Sequence, residues 1–468
     1  MPDFEGVFKG KYHQFNDVAL VRKDLVMMKK VIAVLLTLML LSAAMTGCGQ
    51  KTLLDPKEPV HLTMWHVYGE QADSPMNRLV DEFNQTVGKE KGIVIDVTLV
   101  SGSSKIGGQL IEAQADALGA LEMPDLYSCH PSTAAVLGAE NMLDWSGYFS
   151  EEELAEFVPE FLQDGTIDGK LTVFPVSKSS YALFINGSQF ERFSADTGVT
   201  YQDLADWDGF FDAAAKYYEW SGGKTFCAFD YLIRHVEFDV MSKDGALYSE
   251  DGWYDYESPV LRESWLQFAR SLVQGHIAVS DLYANTQVMT GETVAGLGST
   301  AAILYYNDTV TYSDNTSEPT NLKVLPLPLT AGKSGLMPQT GVGLAASKTT
   351  EQKAEAASVF AHWFTESERN LDFVVDTGYM PVNNGAFAAI DSYQFPSDGH
   401  KSLYTAIKAM REDYTAVVRP TFDDFYKRVD VLYENLREMQ PQFKERAAAG
   451  EDIYSLTLET WEMFTSIS

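Results

Sequence analysis

The chain has 468 residues, of which 45% are hydrophobic and 22% charged, with 17 Pro and 34 Gly. That is globular composition, long enough for two or three compact bodies of roughly 150 residues each, and it excludes collagen-like and low-complexity readings. The formal charge is −31, a surface that repels phosphate backbones, so no nucleic-acid partner is expected.

One segment departs from globular patterning. Lys29-Lys30 precedes an uncharged run, Val31 to Met45. It is shorter than the roughly 20 residues that span a bilayer. A basic start, a short apolar core and small residues before a cut describe an export signal. The run ends Met45-Thr46-Gly47-Cys48, which resembles the lipobox of bacterial lipoproteins, although Leu is commoner than Met at the position of Met45. The resemblance implies lipidation of Cys48 as the first mature residue. Residues 1–47 are therefore expected to be absent from the mature protein, with the true start at Met27 or Met28 and a tether over 48–59. Cys129 and Cys227 then remain, among apolar or aromatic neighbours, and read as buried thiols. No CxxC, HxxxH or HExxH spacing occurs, so no metal site or cofactor is expected.

In chain order, Val60 to His66 alternates as a strand. Pro75 to Thr86 places Met76, Leu79, Val80 and Phe83 at helical spacing. Ile93 to Val100 is a β-branched strand, Leu110 to Leu118 a helix, and Pro124 to Tyr127 a short strand. The alternation predicts a parallel sheet flanked by helices, with ligands beyond the carboxyl ends of the strands. Those ends are Trp65-His66, Ser101 to Ser104 and Cys129-His130. Leu171 to Pro175 and Tyr181 to Asn186 are further strands. Residues 203–220 are helical, Ala301 to Tyr306 and Asn321 to Leu329 are strand-like, and 350–372 form one helix. Residues 419–465 form two closing helices. No repeat or long linker follows residue 60, so two lobes must be interwoven.

Four segments together resemble the family 1 extracellular solute-binding proteins of ABC importers, the group of the maltose-binding and glycerol-phosphate-binding proteins. They are Leu62 to His66 with Leu79 to Asn84, Phe174 to Asn186, Thr290 to Ala301, and Gly341 to Ala345 with the 350–372 helix and Thr377 to Val382. The resemblance covers about residues 59–465. It implies an α/β, two-lobed clam of the type II periplasmic-binding-protein kind, each lobe a mostly parallel sheet flanked by helices. Lobe 1 would be 60–176 and 341–382, and lobe 2 would be 177–340 and 383–468. Hinges would lie near Phe174-Pro175, Gln339-Thr340 and Pro381. The implied function is a monomeric lipoprotein that captures a small molecule between the lobes and delivers it to membrane permease subunits without chemistry.

Candidate ligand groups follow from the residues and from the match. Trp65 offers a face for a sugar ring, with His66 beside it, or is a core residue under the first loop. Ser179 and Ser299 offer hydroxyls, or stabilise turns. Gly341 permits close backbone approach, or is an ordinary turn glycine. Arg419 offers a fork for phosphate or carboxylate, or is a surface charge. By the match, Ser179, Ser299, Gly341 and Arg419 fall where glycerol-phosphate-binding relatives hold phosphate, and Tyr231 falls near a Trp of theirs. His130 replaces a Glu that grips glycerol, and Ser104 replaces a Tyr. The ligand thus stays open between a neutral carbohydrate, which is preferred, and a phosphorylated or otherwise anionic polyol. A glycan-active enzyme would need a carboxylate pair across a sugar, and the sequence carries no nucleophile elbow or phosphate loop. A surface adhesin is a further rival.

Overall fold

The computed structural model describes residues 52–68, 74–99, 103–250, 252–280, 283–418 and 425–467. The first strand, β1 (Val60–His66), leads into helix α1 (Pro75–Gln85). Ser74 caps α1 by accepting the Asn77 N–H, and Pro75 sits in the first turn, where a missing N–H costs nothing. The helix buries Met76, Leu79, Val80 and Phe83, the expected stripe. Strand β2 (Ile93–Leu99) runs parallel to β1 along its whole length, from Val60 opposite Ile93 to His66 opposite Leu99. Helix α2 (Ser103–Gln114) follows; the helix expected at Leu110–Leu118 therefore begins and ends earlier. It stops because Asp116 (φ +48°) and Gly119 (φ +88°) take left-handed backbone. Strand β3 (Leu126–Cys129) pairs parallel with β1 on its other side, and helix α3 (Pro131–Leu137) follows it.

The chain then leaves this sheet. Phe174 exchanges backbone hydrogen bonds with Leu344 (2.8 Å each), and Ser179 with Thr340 (2.9 and 3.1 Å). Lys178 pairs with Met380. Strand β4 (Tyr181–Ile185) opens a second sheet, continued by α4 (Gly187–Thr197), α5 (Trp207–Trp220), β5 (Cys227–Phe229), α6 (Leu232–Ser242), α7 (Pro259–Val273), β6 (Ile277–Val279), β7 (Ala295–Ser299) and β8 (Lys323–Leu325). Its strand order is β8-β4-β7-β5-β6. Here β5 is parallel to β6 and β7, while β4 runs antiparallel to β7 and β8.

Two expectations fail in this sheet. Ala301–Tyr306 is not a strand: residues Thr300–Tyr305 form a 3-10 helix, capped by Ser299. The true strand lies just before it, in the run Ala-Gly-Leu-Gly-Ser. Its small residues are required by close neighbours, since a Cβ on Gly298 would stand 2.3 Å from the Asp230 carboxylate. The Asn321–Leu329 strand shortens to Lys323–Leu325.

The return runs through β9 (Gly335–Pro338) to β10 (Gly343–Ala346), which completes the first sheet antiparallel to β3. The first sheet thus has the order β10-β3-β1-β2. The single helix expected at 350–372 is two, α8 (Glu351–Phe364) and α9 (Ser367–Thr377), broken at Thr365. Asn383 Nδ2 takes the Thr365 carbonyl at that break. Lys353 on α8 meets Asp125 at 2.8 Å, and the same carboxylate accepts the Thr63 N–H of β1 (3.0 Å). Helix α10 (Asp398–Asp413) then packs on β8. Strand β11 (Tyr414–Val417) pairs parallel with β9. Helices α11 (Phe425–Ala448) and α12 (Ile453–Thr465) close the chain as expected, packed on α7. The protein is α/β, with a four-stranded and a five-stranded open sheet as its two main sheets and three crossings between them.

Candidate functional site

The crossings bring the carboxyl edges of the two sheets together. Strand β10 starts opposite Cys129, at the carboxyl end of β3. From there the chain 174–181 runs to Tyr181, which pairs with Ser299 at the carboxyl end of β7. The open-sheet rule puts ligands at such edges.

Ser179, Gly341 and Ser299 meet at this crossing. Ser179 and Thr340 form a two-way backbone pair, and Gly341, at φ +120°, follows directly. A Cβ built on Gly341 would lie 3.8 Å from the Ser179 nitrogen, so the glycine is demanded by backbone conformation and not by crowding. Ser299 Oγ accepts the Ala301 N–H (3.3 Å), the turn-stabilising role. The Thr300 N–H donates to the Ser180 carbonyl (2.8 Å), and the Ser180 hydroxyl is buried without a protein partner.

Tyr231 occupies the cap position of α6, half-buried, edge-to-face with Tyr433 at 5.4 Å. Burial holds its hydroxyl above the usual tyrosine range. The Arg234 guanidinium lies 5.9 Å from the Tyr231 ring and 3.5 Å from Glu237. Burial raises the Glu237 carboxyl, opposed by Arg234 and by hydrogen bonds from Tyr254 and Tyr248.

His130 occupies the cap position of α3, at the end of β3, without a capping hydrogen bond from its side chain. Its pKa is pushed down, first by burial and then by the Lys178 ammonium, with Asp164 opposing, so the ring is neutral at physiological pH. Lys178 is itself 2% exposed and ion-paired with Asp164. Tyr68 and Ser177 share a hydrogen bond (2.8 Å) between their hydroxyls in the same region.

Trp65 and His66 are both buried and engaged within the protein. Trp65 is 3% exposed and packs with Ile106 and Leu110 of α2, Tyr127, Cys129 and Ala345. It has no open face for a sugar ring and is a core residue. His66 is fully buried. Its Nδ1 accepts the Tyr68 N–H (3.1 Å) and its Nε2 donates to Asn77 Oδ1 (2.8 Å), so both ring nitrogens are engaged. Burial lowers its pKa, which keeps it neutral. Arg419 and Cys48 lie outside the described residues, as does the Ser104 side chain.

Sequence reasoning missed Lys178, Asp164, Tyr68 and the Arg234–Glu237 pair. Lys178 stood inside a quoted segment, but its partner lies 14 positions earlier with no periodicity linking them. Cys129 and Cys227 are free and buried, in different sheets. Two larger grooves among the described residues lie away from this crossing. One of about 860 Å³ runs between 303–322 and 390–408, and one of about 1080 Å³ between α5, α7 and the start of α12. Neither includes Ser179, Tyr231, Ser299 or Gly341. Residues 69–73, 100–102 and 281–282, just beyond the carboxyl ends of β1, β2 and β6, fall outside the described ones.

The chain belongs to the bacterial extracellular solute-binding proteins, whose family profile matches residues 78–401. Solved structures agree with the fold. The cyclic alpha-maltosyl-1,6-maltose binding protein of Arthrobacter globiformis superposes with a TM-score of 0.62 at 16% identity, covering 87% of this chain and 99% of that one. A maltose-bound MalE3 of T. maritima gives 0.60 at 17% identity, covering 87% and 100%. UgpB of Mycobacterium tuberculosis, in complex with glycerophosphocholine, gives 0.58 at 15% identity, covering 87% and 98%. No curated protein matches in sequence. Within the family the chain is thus a two-lobed solute-binding protein.

Proposed function

We propose that this protein captures a carbohydrate between its lobes and delivers it to the membrane subunits of an ABC importer, performing no chemistry itself. The lobes are 60–176 with 341–382, and 177–340 with 383–468. The protein acts as a monomer on the outer face of the cell membrane, tethered by lipid on Cys48 after loss of residues 1–47. The observation that carries the ligand class is the neutral chemistry of the crossing. The available groups there are hydroxyls, a ring and a neutral imidazole: Ser179, Ser299, Tyr231 and His130. Among the described residues, the cations near the crossing, Lys178 and Arg234, each have a buried carboxylate beside them, Asp164 and Glu237. An anionic ligand would have to compete for charges already matched. Polyhydroxylated ligands instead use hydroxyl donors and aromatic faces.

Glycerol phosphate or another anionic polyol is the second reading, favoured by the likeness to the glycerophosphocholine-bound UgpB structure and by the match of Arg419. Calorimetric titration of the mature protein with maltooligosaccharides, glycerol 3-phosphate and glycerophosphocholine decides between them. Binding of a sugar, with little loss in Arg419→Ala, is the expected result. If only the phosphate compounds bind, and Arg419→Ala loses about 2–5 kcal/mol, the anionic reading replaces the first. Turnover of a glycan would remove both.

A further inference from the structure

The amino edge of the first sheet, opposite the ligand edge, exposes a cluster of aliphatic side chains. Helices α2 and α3 both start at the carboxyl edge and run back across the sheet. Gln114 Nε2 donates to the Leu137 carbonyl (2.7 Å), which ties their ends together at the amino edge. Between α2 and β3 runs the loop 115–123, shaped by the positive φ of Asp116 and Gly119. Leu118 stands fully in solvent at 108% exposure and Leu121 at 54%, while Ile111 in the last turn of α2 and Val136 at the end of α3 are 37% and 66% exposed. Four large aliphatics left in water on one loop and the two helix ends that flank it are more than ordinary scatter and mark a contact surface.

The folded body begins at the same edge. Leu54 is buried, a Cβ on Gly92 would stand 2.3 Å from the Asp55 carbonyl, and the Val60 N–H donates to the Gly92 carbonyl (2.9 Å). These contacts hold residues 54–60 against the start of β2. Strand β3 is parallel to β1, and the Asp125 N–H donates to Thr63 (3.0 Å), so the loop ahead of β3 enters from that side too. Cys48 precedes Leu54 by six residues, a reach of at most about 20 Å when extended. A lipid on Cys48 therefore keeps this edge close to the bilayer.

We infer that the loop 115–123 is a membrane-resting surface: Leu118 and Leu121 enter the interfacial layer of a phospholipid bilayer, with Ile111 and Val136 against it, and orient the tethered protein. The inference rests on the reading of Cys48 as the lipidated residue. The contact is weak alone and is made effective by the tether, which turns it into an intramolecular event. Asp116 and Glu122 border the apolar side chains, so a zwitterionic bilayer is favoured over an anionic one.

The test uses the lipidated full-length protein in phosphatidylcholine vesicles carrying nitroxide-headgroup lipid. Bimane is placed at Leu118→Cys and, as a reference, at Tyr454→Cys on α12, 59% exposed; buried Cys129 and Cys227 stay unlabelled. Several-fold stronger quenching at 118 than at 454 is expected, and it should fall when Leu121→Asp is added or when phosphatidylglycerol replaces part of the lipid. Equal quenching at both sites in protein that floats with the vesicles overturns the inference while leaving the anchor intact. Protein that does not float overturns the anchor and the inference with it. Shielding at 118 that appears only with permease subunits present assigns the surface to a protein partner and equally overturns it.

Discussion

Trp65 lies on the face of β1 that α2 covers, in contact with Ile106 and Leu110. Truncating it opens a hole in an apolar cluster. Trp65→Ala should cost about 3–5 kcal/mol of stability, read from urea midpoints, with ligand affinity nearly unchanged in the fraction that stays folded. A selective loss of affinity at wild-type stability would return the indole to the ligand. His235 makes a second residue-scale case. It is 1% exposed, ringed by Trp207, Phe229 and Tyr181, with neither ring nitrogen hydrogen-bonded. Burial, helped by the adjacent Arg234 charge, pushes its pKa down to about 3. The unfolded chain takes up that proton near pH 6.5, and the folded chain does not until far lower pH. Stability is therefore fully present above about pH 6.5 and falls as the pH drops toward 3. Asp230, raised by burial to about 6, works in the opposite sense, because its folded carboxyl binds a proton more readily than the unfolded one. A comparison with His235→Phe isolates the histidine: between pH 7 and 4.5 the variant should gain about 2 kcal/mol on the wild type. Parallel acid profiles would show that His235 is protonated in the fold.

At the scale of elements, the crossing segments depend on one buried ion pair. Lys178 belongs to the crossing segment and pairs in backbone with Met380, while its ammonium reaches Asp164 at the end of a short helix, Pro159–Asp164. Removing one partner leaves a buried charge. Lys178→Met should cost about 3–5 kcal/mol, whereas Lys178→Met with Asp164→Leu should recover most of it. Chemical denaturation of the two variants tests this, and equal losses in both would show that the pair is replaceable packing. The same segments show what a sequence discloses. The stripe Met76, Leu79, Val80, Phe83 and the strands β1, β2 and β4 were legible, because their side chains alternate or recur with the period of one element against one core. Strand β7 was misplaced, since its glycines answer to Asp230 and Tyr306 from other elements and leave no β-branched signal. Strands β5 and β6, three residues each and buried, were too short for periodicity. Ser179, Gly341 and Ser299, which lie together at the crossing, were singled out through matched segments. Lys178 and Arg234 were not, because pairing across 14 residues or within a buried helix face depends on the fold itself.

For the whole molecule, two sheets joined by three neighbouring crossings can rotate about that line while each keeps its core. A ligand held between the two carboxyl edges would favour the arrangement in which both touch it. Small-angle scattering should therefore show a smaller radius of gyration at saturation with the ligand found by titration. The same ligand at about 100 times its Kd should add about 2.7 kcal/mol to stability. An unchanged radius at saturation would mean that binding leaves the lobes where they are.

The fourth strand of the first sheet has a consequence for the birth of the protein. Strand β10 supplies Gly343–Ala346 to the edge of β3, which was made more than 200 residues earlier. A chain threaded outward from its amino end thus emerges with Leu126–Cys129 unpaired along one side. The five strands of the second sheet, all between Tyr181 and Leu325, are out before that gap is filled. The second sheet can therefore mature while the first waits with an open edge, the kind of surface that recruits a neighbouring chain. The order in which this chain is delivered therefore predicts late completion of the amino-terminal sheet.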